Sequence, residues 1–312
     1  MIRAVLHRLV LSVPVLFGVL LFGFLLVQVV PGDPAVVVAG PTATADVVAA
    51  IREEMGLDQP VLVQFWNYLQ RMAVGDLGRS MISNKSVTSE LGTALWPTLE
   101  LMIGSMVWSV PVGVAMGTLA AVVRGSLIDR AIMALSVAGV SLPIFFISLM
   151  AIQFLGVKWQ IFPFIGRPGP WYTAEGFMAL FLPALSLGLI LIGPVARMTR
   201  SSVLEVLKLD HVRTARAKGL SETRVILAHG LRNALIPVVT LIGLQVGYLL
   251  GGAVVTETIF SWPGLGRLAV GAIMSSDFTV AQGTIVIFAL GFITVNLIVD
   301  ILYSLLDPRV RK

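Results

Sequence analysis

Long apolar runs alternate with polar connections along this chain. Six runs approach the roughly 20 residues a helix needs to cross the hydrocarbon core of a bilayer. They lie near Leu9–Val30, Thr98–Val123, Ala131–Gly156, Phe177–Met198, Leu235–Val255 and Gly283–Leu306. Gly, Pro, Ser, Thr and an occasional Gln or Asn account for nearly all of their interruptions. Such residues are tolerated in lipid where neighbouring helices re-bond the freed backbone groups. The pattern predicts an all-α polytopic membrane protein with six transmembrane helices.

The connections are unequal. A long one runs from about Pro31 to Trp96. "PGDP" (Pro31–Pro34) ends the first span, because two prolines bracketing a glycine cannot continue a helix. "ADVVAAIREEMG" then predicts a short amphipathic helix closed by Gly56. "QPVLVQFWNYLQRMAVG" predicts another, with Pro60 near its first turn and Val61, Phe65, Leu69 and Met72 on one face. "GDLGRS" (Gly75–Ser80) is a turn cluster. These pieces form a small helical cap whose apolar faces need partners. Three parts follow: residues 1–93 (first span and cap), residues 94–306 (a five-helix core) and residues 307–312 (a tail).

Composition supports lipid as the main solvent. The 312 residues are 57% hydrophobic and 12% charged, and the mean hydropathy is +0.93. A soluble domain carries about a quarter charged residues. With no cysteine, disulfides, zinc–thiolate sites and cysteine nucleophiles are excluded. The net charge of +5 matters less than its placement. Fifteen Lys and Arg fall in the N-terminal tail, the Arg124–Arg130 turn, the connection after the fourth run and the C-terminal tail; seven fall on the other side. By the positive-inside bias both termini are cytoplasmic, and no nucleic-acid partner is indicated. The first run carries Arg3 and Arg8 at its start, as a signal peptide does. Its length predicts an uncleaved anchor instead.

The chain lacks an obvious engine. It has no GxxxxGK[ST] loop, no GxSxG elbow and no HExxH pair. His7, His211 and His229 have no companion acids at ligand spacing. Glu100 and Asp300 stand in different spans and make no acid–base pair; an interhelical hydrogen bond, or for Glu100 a position near the water boundary, suits them better than a substrate contact. No cofactor is expected on this chain. A pathway with no motor conducts passively or is driven by something docked on it.

The dock is legible in "TRSSVLEVLKLDHVRTARAKGLSETRVILAHGLRNALIPVV". Leu207, Asp210, Thr214 and Ala217 recur at helical spacing, Asp210 occupies an N-cap position and Gly219 a stop. Thr214, Ala215 and Ala217 are small enough for close approach by another surface, and Arg213, Arg216 and Lys218 add positive charge. Ser221 caps a second helix that re-enters the membrane and is kinked at Pro237. A loop serving only the charge rule or anionic lipid explains the cations but not this helix–glycine–helix design.

This stretch resembles the cytoplasmic "EAA" coupling motif of bacterial ABC-importer permeases, and the whole chain resembles the B-type subunit of the dipeptide/oligopeptide branch, glutathione- and nickel-type relatives included. The resemblance is carried by "PGDP", "GLDQP" (Gly56–Pro60), "GDLGRS", "HVRTARAKGLSE" (His211–Glu222), "LRNALIPVVT" (Leu231–Thr240), "GGAVVTETIFSWPGLGRL" (Gly251–Leu268) and "DPRVR" (Asp307–Arg311). It departs from the general motif: Arg213, Thr214 and Ala215 replace Glu-Ala-Ala, and Arg232 stands where a proline is usual.

The resemblance implies a type I ABC-importer permease fold in the bacterial cytoplasmic (inner) membrane, pairing as a heterodimer with a homologous second permease to frame one pathway. Two ATPase subunits would use ATP and Mg below it, and an extracytoplasmic solute-binding protein would deliver a short peptide. The coupling helix would comprise Leu209, Asp210, Arg213, Thr214, Ala215, Arg216, Ala217, Lys218 and Gly219, with Leu207 adding apolar contact. "TIFSWPGLG" would lie near the outer mouth, where Glu257, Phe260, Trp262, Pro263, Gly264, Leu265 and Gly266 form either a gate or an interfacial aromatic anchor. Gln153, Gln245 and Asn296 are as consistent with helix packing as with the pathway. Within the family, glutathione, a nickel chelate or an oligopeptide is an alternative cargo. A self-contained secondary transporter or channel needs repeated halves and an ion-binding acid in a broken helix, neither of which is evident. An intramembrane enzyme lacks its paired groups.

Overall fold

The computed structural model describes residues 2–29, 33–40 and 42–306, with side chains from residue 8 to 299 and at Ile301 within those bounds. Pro31 and Gly32 of the first turn motif, the Asp300 side chain and the tail 307–312 lie outside the described residues. Among the described residues every regular element is helical, apart from one isolated bridge between Arg79 and Ser86. The helices are α1 (Ile2–Val29), α2 (Pro34–Ala39), α3 (Ala45–Glu54), α4 (Val61–Ala73), α5 (Val87–Val122), α6 (Leu127–Ser141), α7 (Ile144–Ala151), α8 (Ala174–Val206), α9 (Asp210–Ala217), α10 (Glu222–Arg224), α11 (Arg232–Ile259), α12 (Leu265–Met274) and α13 (Phe278–Leu306). Two stretches are wound as wider π-turns: Ile152–Lys158 continues α7, and Val225–Leu231 joins α10 to α11.

Five helical stretches are long and apolar enough to cross a bilayer: Arg8–Val29, Val87–Val122, Ala174–Val206, Glu222–Ile259 and Phe278–Val299. The third expected span, Ala131–Gly156, is not one straight helix. It is broken into Leu127–Ser141 and Ile144–Lys158, bent by 99°. Pro143 is the cause. A proline pushes its predecessor out of the helical region, and Leu142 is extended (φ −82°, ψ 127°). Pro143 then stands at the N-cap of α7, where its missing N–H costs nothing. Pro14, Pro183, Pro194 and Pro237 lie inside helices that continue through them.

The chain divides into two compact units. One comprises Ile2–Thr98 and Pro263–Thr294. Here Asp33 caps α2 by accepting the Ala35 N–H (3.1 Å), with Pro34 at the first helical position. Gly56 stops α3 at φ +67°. α4 lies on α1 through an aromatic cluster of Phe17, Phe24, Phe65 and Tyr68, with ring centroids 5.1 to 6.5 Å apart. Its inner face is centred on Tyr68, and Val61, expected there, is exposed. Val87, Leu91 and Ala94 of α5 pack with Leu265 and Ala272 of α12 and with Val280 and Ala281 of α13. Asp277 accepts from the Ser80 hydroxyl (2.5 Å) and the Met81 and Val280 N–H groups.

The other unit comprises Leu99–Trp262 and the chain from Val295. α8 is its axis, with buried positions from Gly176 to Val203. Leu180, Leu187 and Leu191 of α8 pack with Leu101 of α5, Val246 and Leu249 of α11, and Trp262. Two ion pairs set the levels of the connections. Arg200, near the end of α8, holds Asp129 at the start of α6. Arg167, just before α8, holds Glu100 in α5. The bent pair α6–α7 starts beside the far end of α8, where Asp129 meets Arg200, and counted as one broken span it brings the number of spans to six.

Candidate functional site

The connection after α8 is a tight helical hairpin. Leu209 is extended (φ −73°, ψ 151°), and its carbonyl accepts the Val212 and Arg213 N–H groups (3.0 and 3.2 Å). The N-cap is thus Leu209. Asp210, expected to cap, is the first helical residue, and its side chain makes no cap bond. There its negative charge still favours the helix N-terminus. α9 ends as the glycine predicts. Gly219 has φ +75°, the left-handed region that costs any residue with a Cβ. The Leu220 N–H reaches the Ala215 carbonyl (3.4 Å) and the Gly219 N–H the Arg216 carbonyl (2.9 Å), which is the Schellman pattern of helix termination.

One face of α9 is sealed inside the hairpin. Val212 and Ala215 are buried against Val206, Leu207, Leu220 and Val225. Ala215 therefore faces inward and adds nothing to an approach surface, whereas Thr214 and Ala217 are exposed. Helical periodicity explains the difference, since 212 and 215 are three apart and share a stripe. The outward face carries Leu209 and Asp210 together with Arg213 and Lys218, all exposed. Arg213 sits 3.6 Å from Asp210, a contact of little energy between exposed groups. Arg216 has a firmer partner: it donates to both oxygens of Glu222 across the hairpin (2.8 and 3.3 Å), which raises its pKa above the usual arginine value. Ser221 stands at the N-cap of α10 as expected, yet its hydroxyl makes no cap bond. Asn233 Nδ2 lies 3.2 Å from His211 Nε2. α11 runs through Pro237 without a break.

Above the hairpin lies a cluster the sequence reading missed. The Asp129 carboxylate accepts from Arg200 Nε and Nη2 (2.6 and 2.7 Å) and from the Gly125 N–H (2.9 Å). Arg197 Nη1 donates to the Ser136 carbonyl (2.8 Å). The signal available was Ser126-x-x-Asp129, a capping-box spacing before an apolar run; the Ser126 hydroxyl does accept the Asp129 N–H (3.2 Å).

At the opposite level, Glu100 bonds to the connection before α8 and not, as expected, to another helix. Arg167 Nε and Nη2 donate to it at 2.6 and 2.8 Å, and the Trp171 N–H at 3.3 Å. The same hydrogen bonds raise the pKa of Arg167. The segment holding Arg167 is pinned twice more, by a Phe162–Phe181 stack (4.1 Å) and by the Gly166 N–H on the Phe260 carbonyl (2.8 Å). Of the supposed gate residues, Glu257, Phe260, Trp262 and Leu265 are almost wholly buried, Gly264 and Gly266 are buried, and Pro263 is exposed. Phe260 and Trp262 are packing residues, so an anchor of exposed aromatic rings is not what this segment builds.

The family described as "Binding-protein-dependent transport system inner membrane component" matches residues 113–312. A companion, "Binding-prot-dependent transport system membrane comp, N-term", matches residues 1–115. The chain belongs to this permease family. It is 46% identical over 311 residues to the glutathione transport system permease protein GsiC of Escherichia coli (strain K12), covering 100% of this chain and 99% of that protein. GsiC of Salmonella typhimurium (strain LT2) matches equally, at 46% identity with the same coverage. Among solved structures, the inward-facing MetNI methionine ABC transporter (CY5 native crystal form) superposes with a TM-score of 0.57 at 19% identity, covering 70% of this chain and 97% of that one. Its SeMet-soaked form gives 0.58. At that identity the likeness concerns the fold. The chain is a non-catalytic, multi-pass permease subunit of an ABC importer of the peptide type. Such an importer works with a partner permease, ATPase subunits and a binding protein.

Proposed function

We propose that this permease passes short peptides, glutathione first among those to test, into the cytoplasm. The full-length identity to GsiC carries this reading. In it the chain forms half of a pathway with a homologous second permease, receives cargo from an extracytoplasmic binding protein, and rests on two ATPase subunits that bind the ATP and Mg. The basic bias, fifteen cations against seven, supports an inner-membrane topology with both termini and the α9 hairpin inside.

α9 is the coupling helix of this proposal, Leu209 to Gly219. Its exposed Arg213 and Lys218 suit an acidic cleft in an ATPase subunit, and its exposed Leu209 and Ala217 suit an apolar floor. ATP-driven closure of the ATPase pair shifts α9, and the spans rearrange as rigid bodies. The buried Phe260 and Trp262 support a gate that moves with its helix rather than a loose flap. The test is uptake by proteoliposomes holding the purified complex, ATP inside, binding protein and labelled peptide outside. Glutathione and dipeptides are compared. Accumulation of glutathione that stops without ATP is expected. Failure of every short peptide, with another small solute accumulating, would overturn the cargo. Transport by this chain alone would overturn the mechanism.

A further inference from the structure

We propose that Asp129 is a positioning residue for energy coupling. By gripping Arg200 it fixes α6 to α8, so that a displacement of α9 moves them together. This rests on the reading of α9 as the coupling helix.

The arm that leads into α9 is α8, and it is locked to its neighbours. Asp129 closes three hydrogen bonds there, two from Arg200 and one from Gly125, and the Asp129 side chain is 5% exposed. One turn earlier, Arg197 bonds the Ser136 carbonyl. The backbones touch at the same level: a Cβ on Gly193 would stand 2.3 Å from the Ser136 oxygen, and one on Gly117 of α5 2.4 Å from the Ala196 oxygen. Interfaces this close transmit displacement instead of absorbing it. Val206, the last residue of α8, and Leu207 after it pack on Val212 and Ala215 of α9.

The outgoing arm is packed into the same core. Val225 of the π-wound stretch Val225–Leu231 is buried with Val212 and Ala215, and Leu231 lies with Val203 of α8 and Ala121 of α5. A push on α9 therefore reaches α8 from both arms, and the Asp129 grip passes it on to α6.

The absence of cysteine from the chain makes the test direct. Spin labels go on Leu127→Cys and Lys208→Cys as one pair, and on Lys208→Cys and Tyr248→Cys as another; all three positions are exposed. Distances are measured in the assembled transporter in nanodiscs, nucleotide-free and vanadate-trapped. Both distances should hold between states, because α11 also packs on α8 through Val246 and Leu249. Asp129→Asn should make 127–208 broad and state-dependent. It should also lower uptake per ATP hydrolysed about five- to tenfold, with the complex still assembled. The charge swap Asp129→Arg with Arg200→Asp should restore both readouts in part. A wild-type 127–208 distance that changes between states overturns the proposal, and that measurement needs no change at the latch. Unaltered uptake per ATP in Asp129→Asn also overturns it and leaves the α9 reading intact. If Gly219→Val couples normally, the α9 reading itself falls and takes the latch with it.

Discussion

Replacing Arg167 with methionine removes one half of a desolvated ion pair. The side chains of Arg167 and Glu100 are 18% and 2% exposed, so water does little to screen them. The substitution deletes the bonds of 2.6 and 2.8 Å and leaves the Glu100 carboxylate with the Trp171 N–H at 3.3 Å. Stranding a buried charge in this way costs about 3–5 kcal/mol. At about 2–4 °C per kcal/mol for a chain of this size class, even about 3 kcal/mol lowers the melting temperature by roughly 6–12 °C. The assay is loss of the monodisperse chromatographic peak after heating in detergent. The control is the double variant Glu100→Gln, Arg167→Met, which removes the stranded charge and should recover at least half of the loss. A single variant that melts with the wild type, or a double variant worse than either single one, would refute the reasoning.

Other expectations follow from local geometry. Gly219→Val should cost about 1–2 kcal/mol through φ alone, since nothing lies within 4 Å of the added Cβ; Gly219→Asn should be milder, and uptake per ATP should fall in that order. Gly193→Ala drives a methyl onto the Ser136 carbonyl and should destabilise by about 1–3 kcal/mol, whereas Gly251→Ala, with open space around it, should melt at or above the wild-type temperature. Burial pushes the Tyr68 hydroxyl up to about 12 from 10.0, against the pull of Arg71. The folded state thus resists an ionisation the unfolded chain undergoes. Stability is full below pH 10 and declines as pH rises from there toward about 12. Tyr68→Phe should flatten that alkaline decline, and because the hydroxyl has no partner among the described residues it should add about 1 kcal/mol at neutral pH.

Hydropathy made the spans legible because lipid imposes a length, and that length survives without knowledge of partners. The α9 stop was legible because Gly219 needs no tertiary context to be left-handed. Pro143 was harder to read. It breaks its span, while Pro183, Pro194 and Pro237 sit inside intact helices, and their local sequences do not distinguish them. The pairs Glu100–Arg167 and Asp129–Arg200 lie 67 and 71 residues apart in the chain. No periodic pattern links such distant positions, so the partner of Glu100 stayed unnamed and Asp129 went unnoticed. Trp262 and Phe260 stand in a turn-rich stretch where composition suggests a surface. Packing placed them in the interior: Trp262 lies in the core with Leu101, Leu180 and Leu187, and the Phe260 carbonyl takes the Gly166 N–H.

The 99° break at Pro143 also bears on how this protein is made. Each limb of the bent pair has 15 residues, Leu127–Ser141 and Ile144–Lys158. At 1.5 Å per residue a limb reaches only about 22 Å, short of a hydrocarbon layer of about 30 Å. Neither limb alone meets the length a crossing needs. The contacts that hold the first limb, from Gly193, Arg197 and Arg200, lie some fifty residues after Pro143 in the chain, so α6 can take its final place only once α8 has been made.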